Sequence, residues 1–273
     1  MDVAELGSRG LVLLGCGKMG SAMLAGWLTR GLSASSVWVQ DPKPSEWLIG
    51  LEKQGLRLNA SLPAKPAVVL VAVKPQMMED ALPALAGLGG GDTVFLSVAA
   101  GTPIALFERI LGAQTPIIRA MPNTPAAVGR GITSLIGNAR AGEAQMQIAE
   151  ALLSAVGQTV RLDNEGQMDA VTAVSGSGPA YVFLLIETLA AAGAEQGLPP
   201  ELAMKLARAT VGGAGQLAED ADEPPSQLRI NVTSPGGTTA AALDILMDAE
   251  TGFPALLRRA VAAAAERSRE LGR

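Results

Sequence analysis

The sequence contains no histidine, and this absence removes several kinds of chemistry. Histidine is the usual general acid or base near neutral pH and the commonest protein ligand of transition metals. Serine and cysteine triads that depend on it are therefore excluded, and a zinc site would have to consist of carboxylates alone. We expect no metal site, and we expect any catalysis to depend on a cofactor, backbone dipoles, hydroxyl groups or lysine.

Cysteine, clustered positive charge and long apolar runs are also scarce. The single cysteine, Cys16, excludes an internal disulfide and is typical of a reducing compartment. The net charge is −5 and no block of Lys and Arg exceeds two residues, so the electrostatic signature of a nucleic-acid-binding protein is missing. The longest apolar run, residues 180–194, includes Glu187 and is shorter than the roughly 20 residues that cross a bilayer. The N-terminal segment lacks a targeting pattern. We expect a cytoplasmic protein with neither nucleic acid nor membrane as a partner.

Apolar residues nevertheless make up 48% of the chain and charged residues only 17%, which is typical of a well-buried globular protein. Aromatic residues are only 3%, so the core has to consist mainly of Ala, Val, Leu, Ile and Met.

The hydrophobic pattern divides the chain into two parts. Short apolar runs alternate with helical patterns up to residue 161, which predicts an α/β domain with a parallel sheet. The predicted strands are 11–14, 36–41, 68–73, 93–101, 116–122 and 131–137, and the helices between them include 19–31, 76–86, 103–111 and 142–155. From about Glu165 only helical patterns follow, at 179–196, 199–220, 225–232, 237–248 and 252–271. We therefore predict a nucleotide-binding domain at 1–164 and an all-helical domain at 165–273.

The segment "GCGKMG" follows the first predicted strand and opens the first helix that comes after it. In that context one glycine permits a tight turn, one lets the backbone approach a pyrophosphate, and one lets helix and strand touch. The helix start then offers free N–H groups to the phosphates. We predict a dinucleotide site of the Rossmann type that includes Gly15, Gly17, Lys18, Met19 and Gly20. Lys18 either approaches a phosphate or is simply solvated, and Cys16 lacks the histidine that would activate it as a nucleophile.

The choice between NAD and NADP stays open at this point. Asp41 lies at the end of the second predicted strand, where an acid would bind a ribose 2′-hydroxyl. Lys43, two residues later, is a cation of the kind that would accept a 2′-phosphate. We therefore write the cofactor as NADPH or NADH.

Further cofactor contacts are predicted where other strands end, because ligands of open parallel sheets bind at the carboxyl ends of the strands. The segments "VAVKPQ", "SVAAG" and "AMPNTP" occupy those positions. Lys74 is a candidate proton donor, a cofactor-orienting group or a cap of the strand end, and "PNTP" is either a contact or a turn. The residues assigned here are Ala72, Val73, Lys74, Pro75, Ala99 and Asn123.

Two segments of the helical part combine glycine with hydroxyl residues at a helix start. "AVSGSGPAYVF" includes Ser175 and Ser177, and "NVTSPGGTTAAAL" holds four hydroxyls around a Pro-Gly-Gly turn. One N-cap needs only one hydroxyl, so the second segment exceeds what capping requires. We predict an anion-binding loop there, with backbone N–H groups and hydroxyls as donors.

These motifs together resemble the pyrroline-5-carboxylate reductase family. The resemblance extends over nearly the whole chain and is densest in "VAVKPQ", "IRAMPNTPAAVGRGIT", "AVSGSGPAYVF" and "NVTSPGGTTAAAL". It implies a Rossmann domain followed by an all-helical dimerisation domain that interlocks with a second subunit. It also implies reduction of the cyclic imine 1-pyrroline-5-carboxylate to L-proline by NADPH or NADH, the last step of proline biosynthesis.

The resemblance also implies roles for particular residues. Ser234 is implied at the substrate carboxylate and Thr239 at the imine nitrogen, with Thr239 as the catalytic group. Asn59 is implied near the adenosine ribose. The implied substrate-binding set is Ser177, Ser234, Gly236, Gly237, Thr238 and Thr239.

Two other functions compete with this one. A dehydrogenase of the 3-hydroxyacid type has a similar layout, but that type carries a catalytic lysine on its first long interdomain helix, and residues 179–196 contain no lysine. A non-catalytic dinucleotide sensor would keep "GCGKMG" without needing "TSPGGTT". Because helix 179–196 is apolar on nearly all sides, we also expect burial from both sides in a homodimer or a larger assembly of dimers.

Overall fold

The computed structural model describes residues 3–272, which form two compact units. One unit extends from the first described residue to Gly176 and resumes at Ala265, and the other comprises Ser177–Ala264. The predicted boundary after residue 164 separates the nucleotide-binding domain from the all-helical domain by role, not by compactness, and it stays a prediction.

An eight-stranded sheet with the strand order β3-β2-β1-β4-β5-β6-β7-β8 organises the first unit. The strands are β1 (Leu11–Leu14), β2 (Val37–Gln40), β3 (Arg57–Leu58), β4 (Val68–Val71), β5 (Val94–Ser97), β6 (Ile117–Met121), β7 (Gly131–Gly137) and β8 (Gly157–Arg161). The helices of this unit are α1 (Val3–Arg9), α2 (Lys18–Thr29), α3 (Glu46–Leu51), α4 (Met78–Ala81), α5 (Ile104–Leu111), α6 (Glu143–Leu153) and α7 (Met168–Val171).

Apolar side chains fill both faces of this sheet, because alternate residues of each strand point to opposite faces. Leu11, Leu13, Val68 and Leu70 belong to one buried cluster, which also includes residues of α2, α3 and α6. The other cluster combines Val12, Val69 and Val71 with residues of α4 and α5. This two-sided burial explains the continuous apolar run of β4.

The strand order reverses beside β1, and this reversal creates the place where a ligand can bind. Strand β1 pairs in parallel with β2 on one side and with β4 on the other. The chain therefore leaves β1 in one direction and later returns to its opposite side. In open α/β sheets, ligands bind at the carboxyl ends of the strands at such a switch point.

The prediction of a wholly parallel sheet is wrong at one pair of strands, since β7 runs antiparallel to β6. Residues 122–130 between them contain only a short 3-10 turn, Thr124–Val128. A parallel return needs a crossover of a dozen or more residues, so the short connection dictates the antiparallel pairing. Strand β8 then pairs in parallel with β7, after α6 as the crossover.

Other departures from the predictions are local. A helix, α1, precedes β1 and was not predicted. The predicted helix 76–86 is a mixture of α4 and two 3-10 segments, the second of which carries Pro83 near its start. A proline there lacks the N–H of a regular α-helix. Strands β3 and β8 and helix α3 were not predicted.

The second unit is entirely helical. It consists of α8 (Gly178–Glu195), α9 (Pro200–Asp220), α10 (Pro225–Asn231), α11 (Thr238–Leu246) and α12 (Phe253–Leu271), whose last residues count with the first unit. Ala190 of α8 packs with Ala203 and Ala207 of α9, so small side chains let these two helices approach closely.

Helix α8 is not buried within the chain. Phe183 and Leu184 are each more than half exposed, and further exposed apolar side chains lie on α9, α11 and α12. The helical stretch Glu165–Glu195 is long and apolar enough to cross a membrane by length and composition alone, a test that core helices also pass. The expected burial of α8 between helices is therefore not met within one chain.

Candidate functional site

The three glycines of the loop between β1 and α2 differ in what surrounds them. Gly15 has a φ of +84°, a left-handed conformation that favours glycine, and a Cβ there would lie 2.9 Å from Val73 Cγ1. A Cβ on Gly20 would lie 2.6 Å from the Gly15 carbonyl oxygen. A Cβ on Gly17 would meet nothing within 4 Å and would project into open space. The loop thus has a turn glycine, a packing glycine and a glycine that leaves room beside the backbone.

The start of α2 is open to an anion. Gly17 is the N-cap, no side chain caps the helix, and no acidic residue lies in its first turn. The N–H groups of Lys18, Met19 and Gly20 donate to no acceptor within the described chain, because the helical bonding begins with Ser21. Three free N–H groups beside an open glycine fit the pyrophosphate of a dinucleotide. Lys18 is exposed and belongs to no ion pair of the described residues.

Asp41 connects this loop to the end of β2. One carboxylate oxygen accepts the Cys16 N–H at 2.7 Å, and the other accepts the Lys43 N–H at 2.8 Å. Asn59 holds the backbone of Asp41 in turn: its Oδ1 accepts the Asp41 N–H and its Nδ2 donates to the Asp41 carbonyl, both at 2.9 Å. Asn59 and Asp41, predicted separately, form one hydrogen-bonded unit that the sequence did not reveal.

Cys16 is buried inside this loop. Burial, and to a smaller extent the nearby Asp41 carboxylate, raises the pKa of the thiol to about 12. The thiol stays protonated at neutral pH, which agrees with the prediction that Cys16 is not a nucleophile.

The carboxyl end of β4 forms the floor of the glycine loop. The Ala72 N–H donates to the Leu14 carbonyl at 2.8 Å, and the Ala72 Cβ faces Gly20. Lys74 begins a 3-10 turn at Pro75 and is exposed, without an ion pair among the described residues. The structure therefore brings Gly15, Gly20, Ala72 and Val73 together, while Lys74 and Pro75 are exposed.

Ala99 and Asn123 follow the next two strands of the same edge. Ala99 is buried after β5, and its N–H donates to Ser97 Oγ at 3.3 Å. Asn123 is also buried, and its Oδ1 accepts the Ile132 N–H at 2.9 Å, which ties the end of β6 to β7. Part of the role of Asn123 is thus structural, while its Nδ2 donates to no acceptor within the described chain.

A partly buried ion pair lies at this edge, and sequence reasoning did not anticipate it. Arg119 of β6 donates to Glu165 Oε1 at 2.7 Å, and the same oxygen accepts the Ile104 N–H at the start of α5. The two charged residues lie far apart in the sequence, so no local pattern could have indicated their contact.

In the helical unit, Ser234 to Gly237 form a type II turn. The Gly237 N–H donates to the Ser234 carbonyl at 3.0 Å, Pro235 is the second residue, and Gly236 has a φ of +68°. Proline fits the fixed φ of the second position, and glycine fits the left-handed third position. The "SPGG" sequence therefore dictates the turn that opens α11.

The hydroxyls around this turn do not cap the helix. Gly237 is the N-cap of α11 and no side chain bonds there. The N–H groups of Thr238, Thr239 and Ala240 donate to no acceptor within the described chain. Thr233 Oγ1 donates to the Arg229 carbonyl, and its hydroxyl is therefore already engaged. The hydroxyls of Ser234, Thr238 and Thr239 have no partner among the described residues, so the capping explanation fails and donors remain free for a ligand.

Ser175 and Ser177 differ in whether the hydroxyl is bonded to the protein. Residues 172–176 form a π-helical turn before α8, and Ser175 Oγ donates to the Val171 carbonyl within it. Ser177 is the N-cap of α8 and makes no side-chain cap hydrogen bond. Ser177 lies in the same unit as the Ser234 turn, and the two make no hydrogen bond to each other. π-Helical turns often accompany functional positions.

Comparisons with known proteins cover nearly the whole chain. Residues 165–271 match the family model described as pyrroline-5-carboxylate reductase dimerisation, and residues 10–101 match the one described as NADP oxidoreductase, coenzyme F420-dependent. The chain is 40% identical to a pyrroline-5-carboxylate reductase of Pseudomonas aeruginosa, over 96% of each chain. It is 46% identical to one of Synechocystis, over 76% of this chain and 75% of the relative.

Solved structures are similar over the same length. A pyrroline-5-carboxylate reductase of Coxiella burnetii has a TM-score of 0.91 at 32% identity and covers 97% of this chain and 99% of its own. A Plasmodium falciparum pyrroline carboxylate reductase solved with NADP bound has a TM-score of 0.83 at 29% identity, with 98% and 99% covered.

The glycine geometry predicts that two alanine substitutions have different effects. Gly17→Ala adds a methyl group in open space and should leave the free energy of unfolding unchanged, while it weakens dinucleotide binding by about tenfold or more because the backbone no longer approaches the phosphates. Gly20→Ala should lower the free energy of unfolding in addition to weakening the binding, since its Cβ would overlap the Gly15 carbonyl. Urea denaturation and calorimetric titration with NAD⁺ and NADP⁺ measure both effects.

Gly50→Ala is the matched control, because its Cβ also meets nothing within 4 Å and it lies on α3 away from the loop. It should leave dinucleotide binding unchanged. If Gly17→Ala binds both dinucleotides as tightly as Gly50→Ala does, the loop does not hold the pyrophosphate.

Proposed function

Because this chain belongs to the pyrroline-5-carboxylate reductase family, we propose that it reduces 1-pyrroline-5-carboxylate to L-proline with NADPH or NADH, the last step of proline biosynthesis. The observation that carries the proposal is the start of α11, where three N–H groups and the hydroxyls of Ser234, Thr238 and Thr239 have no partner among residues 3–272. In a chain without histidine, these groups suit a small anionic substrate that contains a nitrogen.

The substrate carboxylate is bound by the turn. Ser234 Oγ and the Thr238 N–H donate to it, and Ser177 adds a further hydroxyl, while the Gly237 N–H already bonds to the Ser234 carbonyl. Hydrogen bonds to a charged group contribute about 1.5–3 kcal/mol each, and the positive end of a helix dipole favours the anion further. No cationic side chain is needed for this recognition.

Thr239 acts at the ring nitrogen. Its Oγ1 accepts the N–H of the protonated imine and so orients the ring and holds the proton on nitrogen. The dinucleotide supplies the hydride, and the protonated imine needs no further activation. The protein thus contributes mainly orientation, which explains why a site without a strong acid or base suffices.

The residues at the carboxyl edge of the sheet hold the dinucleotide. Gly15, Gly17, Lys18, Met19 and Gly20 bind the pyrophosphate, as the free N–H groups and the open space beside Gly17 support. Asp41 and Asn59 lie at the adenosine ribose. The nicotinamide side consists of Ala72, Val73, Lys74, Pro75, Ala99 and Asn123. Residues 1–164 form the dinucleotide domain and residues 165–273 the substrate-binding and dimerisation domain.

The competing functions have less support. A 3-hydroxyacid dehydrogenase needs a lysine on the first long helix after the sheet, and α8 has none. A dinucleotide sensor needs no free hydroxyls around α11.

The enzyme acts in the cytoplasm, in agreement with its single cysteine. Its partner is a small molecule, and neither nucleic acid nor membrane is a partner.

A homodimer, or an assembly of such dimers, completes the helical unit. Apolar side chains of α8, α9 and α12 are exposed in the single chain, and exposed apolar area of this extent marks an interface between proteins. The match of residues 165–271 to a dimerisation model supports a second copy of this chain as the partner.

The reaction itself is tested by following the oxidation of NADPH and NADH by absorbance. We expect turnover with 1-pyrroline-5-carboxylate and none with a plain 2-keto acid, because only the imine offers a protonated nitrogen to Thr239. Turnover with the keto acid alone would move the assignment to another dehydrogenase, and turnover with neither substrate would favour a sensor.

Replacement of Thr239 tests the catalytic role. We expect Thr239→Ala to lower kcat by roughly 10–100-fold, because one oriented hydrogen bond to the reacting group is lost, and Thr239→Ser to retain most of the activity. Thr233→Ala is the matched control, since that hydroxyl already bonds to the Arg229 carbonyl and should leave kcat unchanged. Full kcat in Thr239→Ala would contradict the role.

Replacement of an exposed phenylalanine tests the dimer. Phe183→Glu places a charge on α8 and should reduce the molar mass in solution to that of one chain, since an unpaired charge buried at an interface costs several kcal/mol. Light scattering coupled to size exclusion measures the mass. Ile49→Glu, an equally drastic change on exposed α3, should leave the mass as in the wild type. A wild-type mass of one chain would refute the dimer.

A further inference from the structure

The carboxylate of Asp41 is held in one orientation at the end of β2. Its Oδ2 accepts the Cys16 N–H at 2.7 Å and its Oδ1 accepts the Lys43 N–H at 2.8 Å. One donor precedes Asp41 in the sequence and lies in the glycine loop, and the other follows it in the segment after β2. Because both oxygens are engaged, the carboxylate does not rotate away from a ligand without loss of two charge-assisted hydrogen bonds.

The backbone of Asp41 is fixed as well. The Asn59 amide bonds to both the N–H and the carbonyl of Asp41, and Asn59 adopts a left-handed φ of +50° to do so. Asparagine tolerates that conformation better than most other residues. The Asn59 amide therefore acts through Asp41, and Asn59 is a positioning residue.

This fixed charge lies beside the glycine loop. Gln40 pairs with Leu14 across β1 and β2, and the Gly15 N–H donates to the Gln40 carbonyl at 2.8 Å. Asp41 comes directly after this pair, and its carboxylate reaches the loop at Cys16. In dinucleotide-binding sheets this position lies beside the adenosine ribose.

The arginine of the neighbouring strand is engaged elsewhere. Arg57 of β3 lies over the Trp38 ring at 4.2 Å and donates to the Ser35 carbonyl. Among the ion pairs of residues 3–272, none neutralises Asp41. Lys43 contributes its backbone N–H to the carboxylate, and its side chain is exposed.

We propose that Asp41 makes this chain prefer NADH to NADPH: its fixed carboxylate accepts ribose hydroxyls and repels a 2′-phosphate. Each carboxylate oxygen still has a lone pair after its backbone bond, so a ribose hydroxyl finds an acceptor. A phosphate at the same place brings a second negative charge within a few ångströms of the first. The proposal rests on the proposed function, because it concerns the reductant of that reaction.

Direct binding is the test, measured by calorimetric titration of the full-length protein with NADH and with NADPH in the absence of substrate. We expect the wild type to bind NADH at least about tenfold more tightly, and Asp41→Asn to shift the ratio of the two Kd values toward NADPH by about fivefold or more. Glu52→Gln removes an equal charge from the exposed segment between α3 and β3 and should leave the ratio unchanged. Asn59→Gly removes the amide bonds to the Asp41 backbone, while it keeps the Asp41 charge and permits the positive φ. It should therefore weaken NADH binding and change the ratio of the Kd values less than Asp41→Asn does.

Salt dependence of the wild type supplies a second measurement that needs no variant. Added salt screens repulsion, so NADPH binding should weaken less with salt than NADH binding does if Asp41 repels the 2′-phosphate. A steeper loss for NADPH would indicate attraction to a lysine and would overturn the proposal even where Asp41→Asn fails to fold.

The possible results distinguish a failure of the NADH preference from a failure of the proposed function. Equal affinity, or tighter binding of NADPH, overturns the preference and leaves the reductase in place. An equal ratio in Asp41→Asn and Glu52→Gln removes Asp41 as its cause. Failure of the wild type to bind either dinucleotide contradicts the proposed function itself.

Discussion

Backbone N–H groups left free at the starts of two helices are the feature on which the rest of this structure depends. At α2 and at α11 a glycine occupies the N-cap, no side chain caps the helix, and three N–H groups have no acceptor within the described residues. Each such start offers main-chain donors of the kind that bind anions. The proposed function uses one of them for a pyrophosphate and the other for a carboxylate, in a chain that has no histidine.

The sheet makes the first of these sites rigid. Leu14 and Val71 are paired across β1 and β4, so the residues that follow them leave the sheet side by side. Val73 then lies so close to Gly15 that a Cβ there would be 2.9 Å from Val73 Cγ1, and Ala72 lies beside Gly20. Burial of both sheet faces keeps this arrangement in place, because movement of one strand end would disturb two packed clusters.

Much of the fold could be predicted from the sequence, because long helices and buried strands carry strong periodic patterns. Helices α8 to α12 end within a residue or two of their predicted bounds. The predicted strands 68–73 and 93–101 were too long at their carboxyl ends, since apolar residues continue there although the ladder stops at Val71 and Ser97. Those extra residues lie in loops after the strands, where their apolar side chains pack against the protein core rather than continue the strand pairing.

The contacts that orient the site could not be predicted, because they join residues that are distant in the sequence. Asp41 was found from its spacing after the glycine loop, yet nothing local shows that Asn59 holds it or that Cys16 donates to it. The same contact accounts for the inert thiol: Asp41 approaches the loop through the Cys16 N–H and brings negative charge to a sulfur that burial already keeps protonated. One carboxylate therefore bonds to the glycine loop at Cys16, adds to the rise of the thiol pKa, and holds its own charge in one orientation at the end of β2.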